Sequence, residues 1–270
     1  MKNIDTKRMV YSFYINDKSF EHPINQLHFK LLERYIHHFD EVIFCIIIDD
    51  RERYDLIQRI EEFVISIFHK KLTFKIYDNT NYRESLVFYN EIAKQLEILD
   101  GCTFFGHNKG ISDDLSERDI KMWVTALYYF NFENEIPELN GFMTYGALKG
   151  TDLNDIHLRR ELLPKHKWFY CGTFFWAKYQ EVHRYCVIND IKLPLLRNRW
   201  YSEMFMGELM TPDYGLSYGG YYTIECGAGG RIKMDDYFKM LFWNNEKLYD
   251  DFITFFNYID GYESSNLCNL

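Results

Sequence analysis

The chain has 270 residues, 47% hydrophobic and 26% charged, with a net charge of −9 and six cysteines. This length suits one large α/β domain or two small ones, and this composition excludes a disordered chain. The acidic balance argues against non-specific attachment to nucleic acid or to an anionic membrane surface, and no apolar run approaches the ~20 residues that span a bilayer.

The opening Met1-Lys2-Asn3-Ile4-Asp5 lacks the apolar centre of a signal peptide. Cysteines 45, 102, 171, 186, 226 and 268 show no CxxC spacing, so reduced thiols in a cytoplasmic protein are expected. Aromatic residues reach 19% (22 Tyr, 23 Phe and 5 Trp), a content that serves a sugar-stacking surface or a large core equally well.

In chain order, Met9 to Ile15 is β-rich and stops at Asn16-Asp17, which predicts a first strand. Leu27 to Phe39 has helical spacing, with Leu31, Leu32, Tyr35, Ile36 and Phe39 on one stripe. Glu41 to Ile48 is the most continuous apolar run and suits a central parallel strand covered on both faces. It ends in Asp49-Asp50-Arg51-Glu52-Arg53, either a ligand-facing loop or a solvated turn. A second helix carries Leu56, Ile57, Ile60, Phe63, Val64, Ile67 and Phe68, and a third strand, Leu72 to Tyr77, closes at Asp78-Asn79-Thr80-Asn81. A third helix is predicted from Glu84 to Leu99 and a fourth strand from Cys102 to Phe105. Four successive strand–helix units predict a parallel α/β sheet.

After a helix over Asp119–Phe130 the pattern changes. Gly141 to Gly146 predicts a further strand, and Lys165 to Trp176 a strand that bends at Gly172. A helix from Lys178 to Val187 follows, then a loop from Leu195 that opens into another helix before Gly207. Tyr214 to Tyr222 and Gly227-Ala228-Gly229-Gly230 suggest a flap, Asp235 to Ile259 a final helical segment, and Gly261 to Leu270 a loose end. The histidines His37, His38 and His69 are expected on helices, away from any site.

The chain is organised around Phe104-Phe105-Gly106-His107-Asn108-Lys109-Gly110, where the fourth strand ends in a polar, glycine-flanked turn. Ligand sites in open α/β sheets lie outside the carboxyl ends of the strands. One cation, a histidine, an amide and two glycines suit a phosphate. A surface turn whose lysine faces water accounts for the same residues.

Three motifs in order carry a family resemblance. His107-Asn108-Lys109-Gly110 resembles the His-x-Lys-Gly turn of certain bacterial and viral glycosyltransferases. Cys171-Gly172-Thr173-Phe174-Phe175-Trp176 is similar to their Gly-Asn-Phe-Trp-Trp segment, and Arg199 to Gly207 to the helix that follows it. The resemblance covers Met9 to Gly207 and implies a GT-A-like domain over residues 1–210, with residues 211–270 as a flap and C-terminal helical extension packed on the same domain. It implies transfer of a sugar from a nucleotide-diphospho-sugar to a saccharide or lipid-linked saccharide acceptor in the synthesis of surface polysaccharide, capsule or lipopolysaccharide. GT-A enzymes carry Asp-x-Asp at the end of the fourth strand to hold Mn²⁺ or Mg²⁺. Here that place reads His107-Asn108-Lys109, and no histidine follows His183. The expectation is therefore metal-independent transfer, with no cofactor and with Lys109, His107, Asn108 and Arg199 against the diphosphate.

Within that resemblance Glu203 is the general base for an inverting displacement; the alternative is an ordinary glutamate on a helix surface. Tyr14, Asn16 and Asp17, with Asp49 and Tyr82, are candidates for the nucleobase and ribose, or simply members of β-turns. Gly172, Thr173, Phe174 and Trp176 are candidates for sugar or acceptor contact. Alternation puts Phe174 and Trp176 on one strand face, where core packing is equally open to them. The chain departs from the motif at Thr173, where asparagine is usual, and at Phe175, where tryptophan is. The competing functions are a GT-A-like sugar-phosphate or nucleotidyl transferase, and a non-catalytic glycan-binding protein.

Overall fold

The computed structural model describes residues 6–16, 21–49, 53–108, 117–133, 143–150, 165–166, 168–221, 238–239, 242 and 245–266. Its first half is four strand–helix units. Strands β1 (Lys7–Ile15), β2 (Glu41–Ile48), β3 (Lys71–Asp78) and β4 (Cys102–His107) alternate with helices α1 (Pro23–Tyr35), α2 (Tyr54–Ile67) and α3 (Glu84–Glu91). The four strands are parallel and lie in the order β3-β2-β1-β4. As expected for a strand covered on both faces, β2 is buried along nearly its whole length.

Successive side chains point to opposite faces. Tyr11, Phe13, Phe44 and Ile46 meet α1, α2 and α4 (Glu117–Phe132), whereas Val10, Cys45, Ile47 and Phe105 meet α3 and later helices. The chain therefore builds outward from β1 through β2 to β3. It then crosses under the sheet with α3 and returns beside β1 as β4. The reversal places a topological switch point between β1 and β4.

Beyond β4 the sheet becomes mixed and reaches eight strands. Here β5 (Thr144–Gly150) pairs on one edge with β6 (Phe169–Tyr170) and β7 (Phe175–Ala177), both antiparallel. Strand β7 also pairs with β4, antiparallel, and so joins the two halves. The bend expected at Gly172 is a break between β6 and β7. Residues Cys171–Phe174 stand against only two positions of β5, because Tyr170 pairs with Lys149 and Phe175 with Gly146. The surplus residues bulge out of the ladder.

Helices α5 (Tyr179–Ile188) and α6 (Tyr201–Leu209) cover the α3 face, and α7 (Glu246–Asn266) packs on α4 through Phe252, Phe255 and Phe256. Among the described residues no helix is long and apolar enough to cross a membrane.

Several expectations are corrected. Helix α1 begins four residues before Leu27, because Pro23 occupies its first turn and His22 Nδ1 accepts from Ile24 N at 3.2 Å. Helix α3 stops at Glu91. Ile92 leaves the helical region (φ −124°, ψ −64°), and a 3₁₀ turn, Ala93–Gln95, follows. His37 and His38 lie in a 3₁₀ turn, and His69 lies past the end of α2. The Tyr–Gly stretch read as a flap contains β8 (Gly215–Tyr221), parallel to β5; its glycines hide the alternation of a strand. The final helix runs through Gly261 to Asn266 where a loose end is expected. The Gly227–Gly230 run lies outside the described residues.

Candidate functional site

The polar ends of the parallel strands meet at the switch point. The last β1–β4 pair is Ser12 with His107, and Asn108 N donates to Ser12 O at 3.2 Å. The Asn108 side chain then extends the ladder past the end of β4. Its Oδ1 accepts from Tyr14 N at 2.7 Å and its Nδ2 donates to Tyr14 O at 2.7 Å. One side-chain amide thus serves both backbone groups of Tyr14 as a neighbouring peptide would. Nδ2 also donates to Asn25 Oδ1 of α1 at 2.9 Å, and both asparagines are buried. Asn108 is a clamp that ties the end of β4 to β1 and α1 and fixes the Tyr14 backbone.

Tyr14 points along the rim. Its hydroxyl donates to Asp49 Oδ2 at 2.6 Å and accepts from Asn16 Nδ2 at 3.1 Å. The other Asp49 oxygen accepts from Asn79 Nδ2 at 2.7 Å, and Asn79 N donates to Ile48 O. The ends of β1, β2 and β3 therefore carry one hydrogen-bonded set. Burial, and then the Asp49 carboxylate, raise the Tyr14 phenol above its ordinary value, while the nearby Arg83 guanidinium opposes them. The phenol is thus a proton donor at neutral pH, held against the Asp49 carboxylate. Arg83 is exposed, at φ 49° before α3, so a cation stands near this rim.

His107 is also buried, and it faces the bulge. Its Nε2 lies 2.8 Å from Gly172 O; a carbonyl only accepts, so Nε2 carries the proton. Gly172 is left-handed (φ 69°), a backbone that a side chain would strain, and a Cβ there would also press on Leu127 Cδ1 at 2.9 Å, so the position favours glycine. Thr173 is left-handed as well (φ 60°), fully buried, with no hydrogen-bond partner for its Oγ1. A β-branched residue with that backbone is strained.

Of the two uses open to Phe174 and Trp176, the structure shows core packing. Trp176 stacks on Phe39 with centroids 5.2 Å apart and donates Nε1–H to Asn131 O at 3.3 Å. Phe174 lies edge-on to Tyr128 at 5.2 Å. Both are fully buried.

The start of α6, next to Arg199 and carrying Glu203, is tied to the start of α3. Ser85, in the first turn of α3, donates to Arg199 O at 2.7 Å and shares a contact of 3.1 Å with Ser202 Oγ. Arg83 and Ser85 flank the start of α3, so this pairing holds the α6 N-terminus at the edge that carries Tyr14. Arg199 is exposed, its guanidinium 4.3 Å from the Trp200 ring centroid, and Glu203 is half-buried in the first turn of α6. Tyr82 is exposed just before α3. Lys109 and Asp17 lie outside the described residues, each next to a residue of the rim.

Asn25, Asn79, Arg83, Ser85 and Ser202 belong to this arrangement and were not singled out from the sequence. Asn79 had a signal, its place directly after a parallel strand. The others are brought in by helices whose sequence pattern does not reveal which neighbour they meet.

Below the rim, on the α3 face, Glu91 is buried and accepts from Lys75 and Tyr77. Burial, with Glu91 nearby, pushes the Cys45 thiol up, so it is an inert core group. Among the described residues no three His, Cys, Asp or Glu side chains are grouped to hold a metal ion. The chain matches no protein-family model and no curated protein sequence.

Proposed function

We propose that the chain is a GT-A-like glycosyltransferase that moves a sugar from a nucleotide-diphospho-sugar to a saccharide or lipid-linked saccharide hydroxyl, with inversion and without a metal. The observation that carries the reading is the Tyr14–Asp49–Asn79 rim, pinned by Asn108 at the switch point of a parallel sheet, where open α/β sheets take their ligands. Two exposed arginines, Arg83 and Arg199, stand at the same edge and suit an anionic ligand. The backbone at Thr173 gives further support. The resembled motif has asparagine there, one of the few side chains that enters the left-handed region readily.

In this reading the rim of Tyr14, Asn16 and Asp49, with Asp17 and Tyr82, holds the nucleoside. Lys109, Arg199 and Arg83 face the diphosphate. His107 and Asn108 act one step back, because their side chains already bond Gly172 and Tyr14; they fix the end of β4, next in sequence to Lys109. Glu203 takes the proton of the acceptor hydroxyl as its oxygen attacks the anomeric carbon. The bond from that carbon to the diphosphate oxygen breaks, and the cations stabilise the charge that the departing nucleotide diphosphate gains.

Calorimetric titration with a panel of nucleoside diphosphates tests the binding half. One of them binds the native chain, and Asp49→Ala weakens it at least tenfold. The catalytic half predicts that Glu203→Gln keeps that affinity and loses release of the nucleotide from its sugar donor. A chain that binds glycans and ignores every nucleotide is a lectin, and the proposal is then wrong.

A further inference from the structure

The segment from the end of α5 to the start of α6 exposes large apolar side chains in a row. Val187 is 66% exposed, Ile188 74%, Leu193 37% and Leu195 68%. Elsewhere among the described residues, exposed apolar side chains stand apart along the chain, as at Ile65 and Ile98.

Two features bring the parts of this run close along the chain. A left-handed turn at Asp190 (φ 50°) lets Ile191 N donate back to Cys186 O at 2.8 Å, which folds the strip against the helix end that carries Val187 and Ile188. Beyond it the chain alternates. Pro194 and Leu196 turn inward, Pro194 O accepting from the Tyr201 hydroxyl at 2.5 Å, while Leu193, Leu195, Arg197 and Arg199 turn outward.

The charge on this surface opposes that of the chain. Residues 184–199 hold Arg184, Lys192, Arg197 and Arg199 against a single acid, Asp190, in a chain of net −9. All four cations are exposed, and none forms an ion pair with a described residue. Apolar side chains beside exposed cations match an anionic bilayer, with its apolar interior under a negative headgroup layer. An acidic protein face would match the cations but leave the leucine, valine and isoleucine tips without a purpose.

We infer that residues 184–199 dock this protein peripherally on an anionic lipid surface, with Val187, Ile188 and Leu195 entering the headgroup boundary and Arg184, Lys192 and Arg197 against the lipid phosphates. The whole-chain charge argues against such a contact, but attachment is decided within a Debye length of the surface, about 10 Å at 0.1 M salt. The inference does not depend on the proposed transfer reaction. The strip ends at Arg199, on the candidate site's edge, so docking would bring that site to the membrane.

The test is co-sedimentation of the full chain with vesicles of phosphatidylcholine alone and of equal parts phosphatidylcholine and phosphatidylglycerol. Native protein should partition onto the mixed vesicles and leave the neutral ones, and added salt should release it. The Val187→Ser/Ile188→Ser/Leu195→Ser variant and the Arg184→Glu/Lys192→Glu variant should each lose about tenfold or more in partitioning. Their thermal unfolding should be unchanged, since every altered side chain is exposed. Failure of the native chain to bind mixed vesicles, or equal binding by either variant, overturns the inference. So does a native dimer in solution that the triple serine variant converts to monomer, because the strip is then an interface between copies.

Discussion

The parallel half of the sheet and the mixed half attached to its β4 edge are built by different means. In β1–β4 every described strand pair runs in one direct register, and the strand ends bond one another through Asn108, Asp49 and Asn79. At the opposite end Arg8 ties β1 to Glu41 of β2 and to Asp100 before β4, at 2.9 and 2.8 Å. The mixed half has a broken strand, two consecutive left-handed residues, and a buried lysine, Lys149, that serves the carbonyls of Pro212 and Gly215. The halves meet along three β4–β7 pairs and the His107–Gly172 bond. The difference teaches where precision and strain reside. The regular half fixes the rim of the site, and the irregular half is forced into the shape that joins it.

The largest effect tests whether the joint is a core. Trp176 stands between the halves, 5.2 Å from Phe39 and 5.3 Å from Phe104 by ring centroids. Trp176→Ala empties a fully buried site and should destabilise the chain by about 4 kcal/mol in urea unfolding. A small loss of stability with a large loss of sugar binding would return Trp176 to the ligand platform that its motif suggests.

A smaller effect is expected at the rim. Asn108→Ala leaves Tyr14 N–H and C=O without the partners that Asn108 gives them, and removes the bond to Asn25. Buried groups left unpaired cost about 1–3 kcal/mol, so the loss should be about 2 kcal/mol in the same measurement. A change under about 0.5 kcal/mol, the size of ordinary surface substitutions, would show that the ends of β1 and β4 are not held by this side chain.

The two halves also differ in how far the sequence discloses them. Glu41 to Ile48 is a continuous apolar run and is β2 residue for residue. The stripes of α2, α4 and α5 are legible because a helix against a sheet needs one apolar face. Strand pairing in the mixed half has no such local signal. Nothing in the Phe174-Phe175-Trp176 run or in the glycines of β8 says that β7 lies between β4 and β5, or that β8 runs parallel to β5.

At the site, Tyr14, Asn16, Asp49 and Asn108 were legible as polar residues at strand ends, and the structure joins them. What was not legible is that His107 and Asn108 spend their side chains on the fold. Alternation along β4 carried the hint for His107, which shares a face with Thr103 and Phe105 and is buried with them.

The smallest effect has the opposite sign and separates strain from packing. Thr173 is a buried β-branched residue at φ 60°, and its hydroxyl has no partner. The left-handed backbone costs a non-glycine residue about 1–2 kcal/mol, and an unpaired buried hydroxyl costs about 1–3 kcal/mol more. Thr173→Gly removes both. Against that stand the lost burial of the Cβ methine and the Cγ2 methyl, about 1.6 kcal/mol, and the greater freedom of glycine in the unfolded chain, about 0.5–1 kcal/mol. The balance favours Thr173→Gly by about 1 kcal/mol in urea unfolding.

Thr173→Val keeps the backbone and the shape and exchanges only the hydroxyl for a methyl group, so its gain reports the polar atom and what remains belongs to the left-handed turn. If glycine destabilises while valine stabilises, the bulge is held by its side chain and not strained by it, and the contrast between the two halves loses its physical basis.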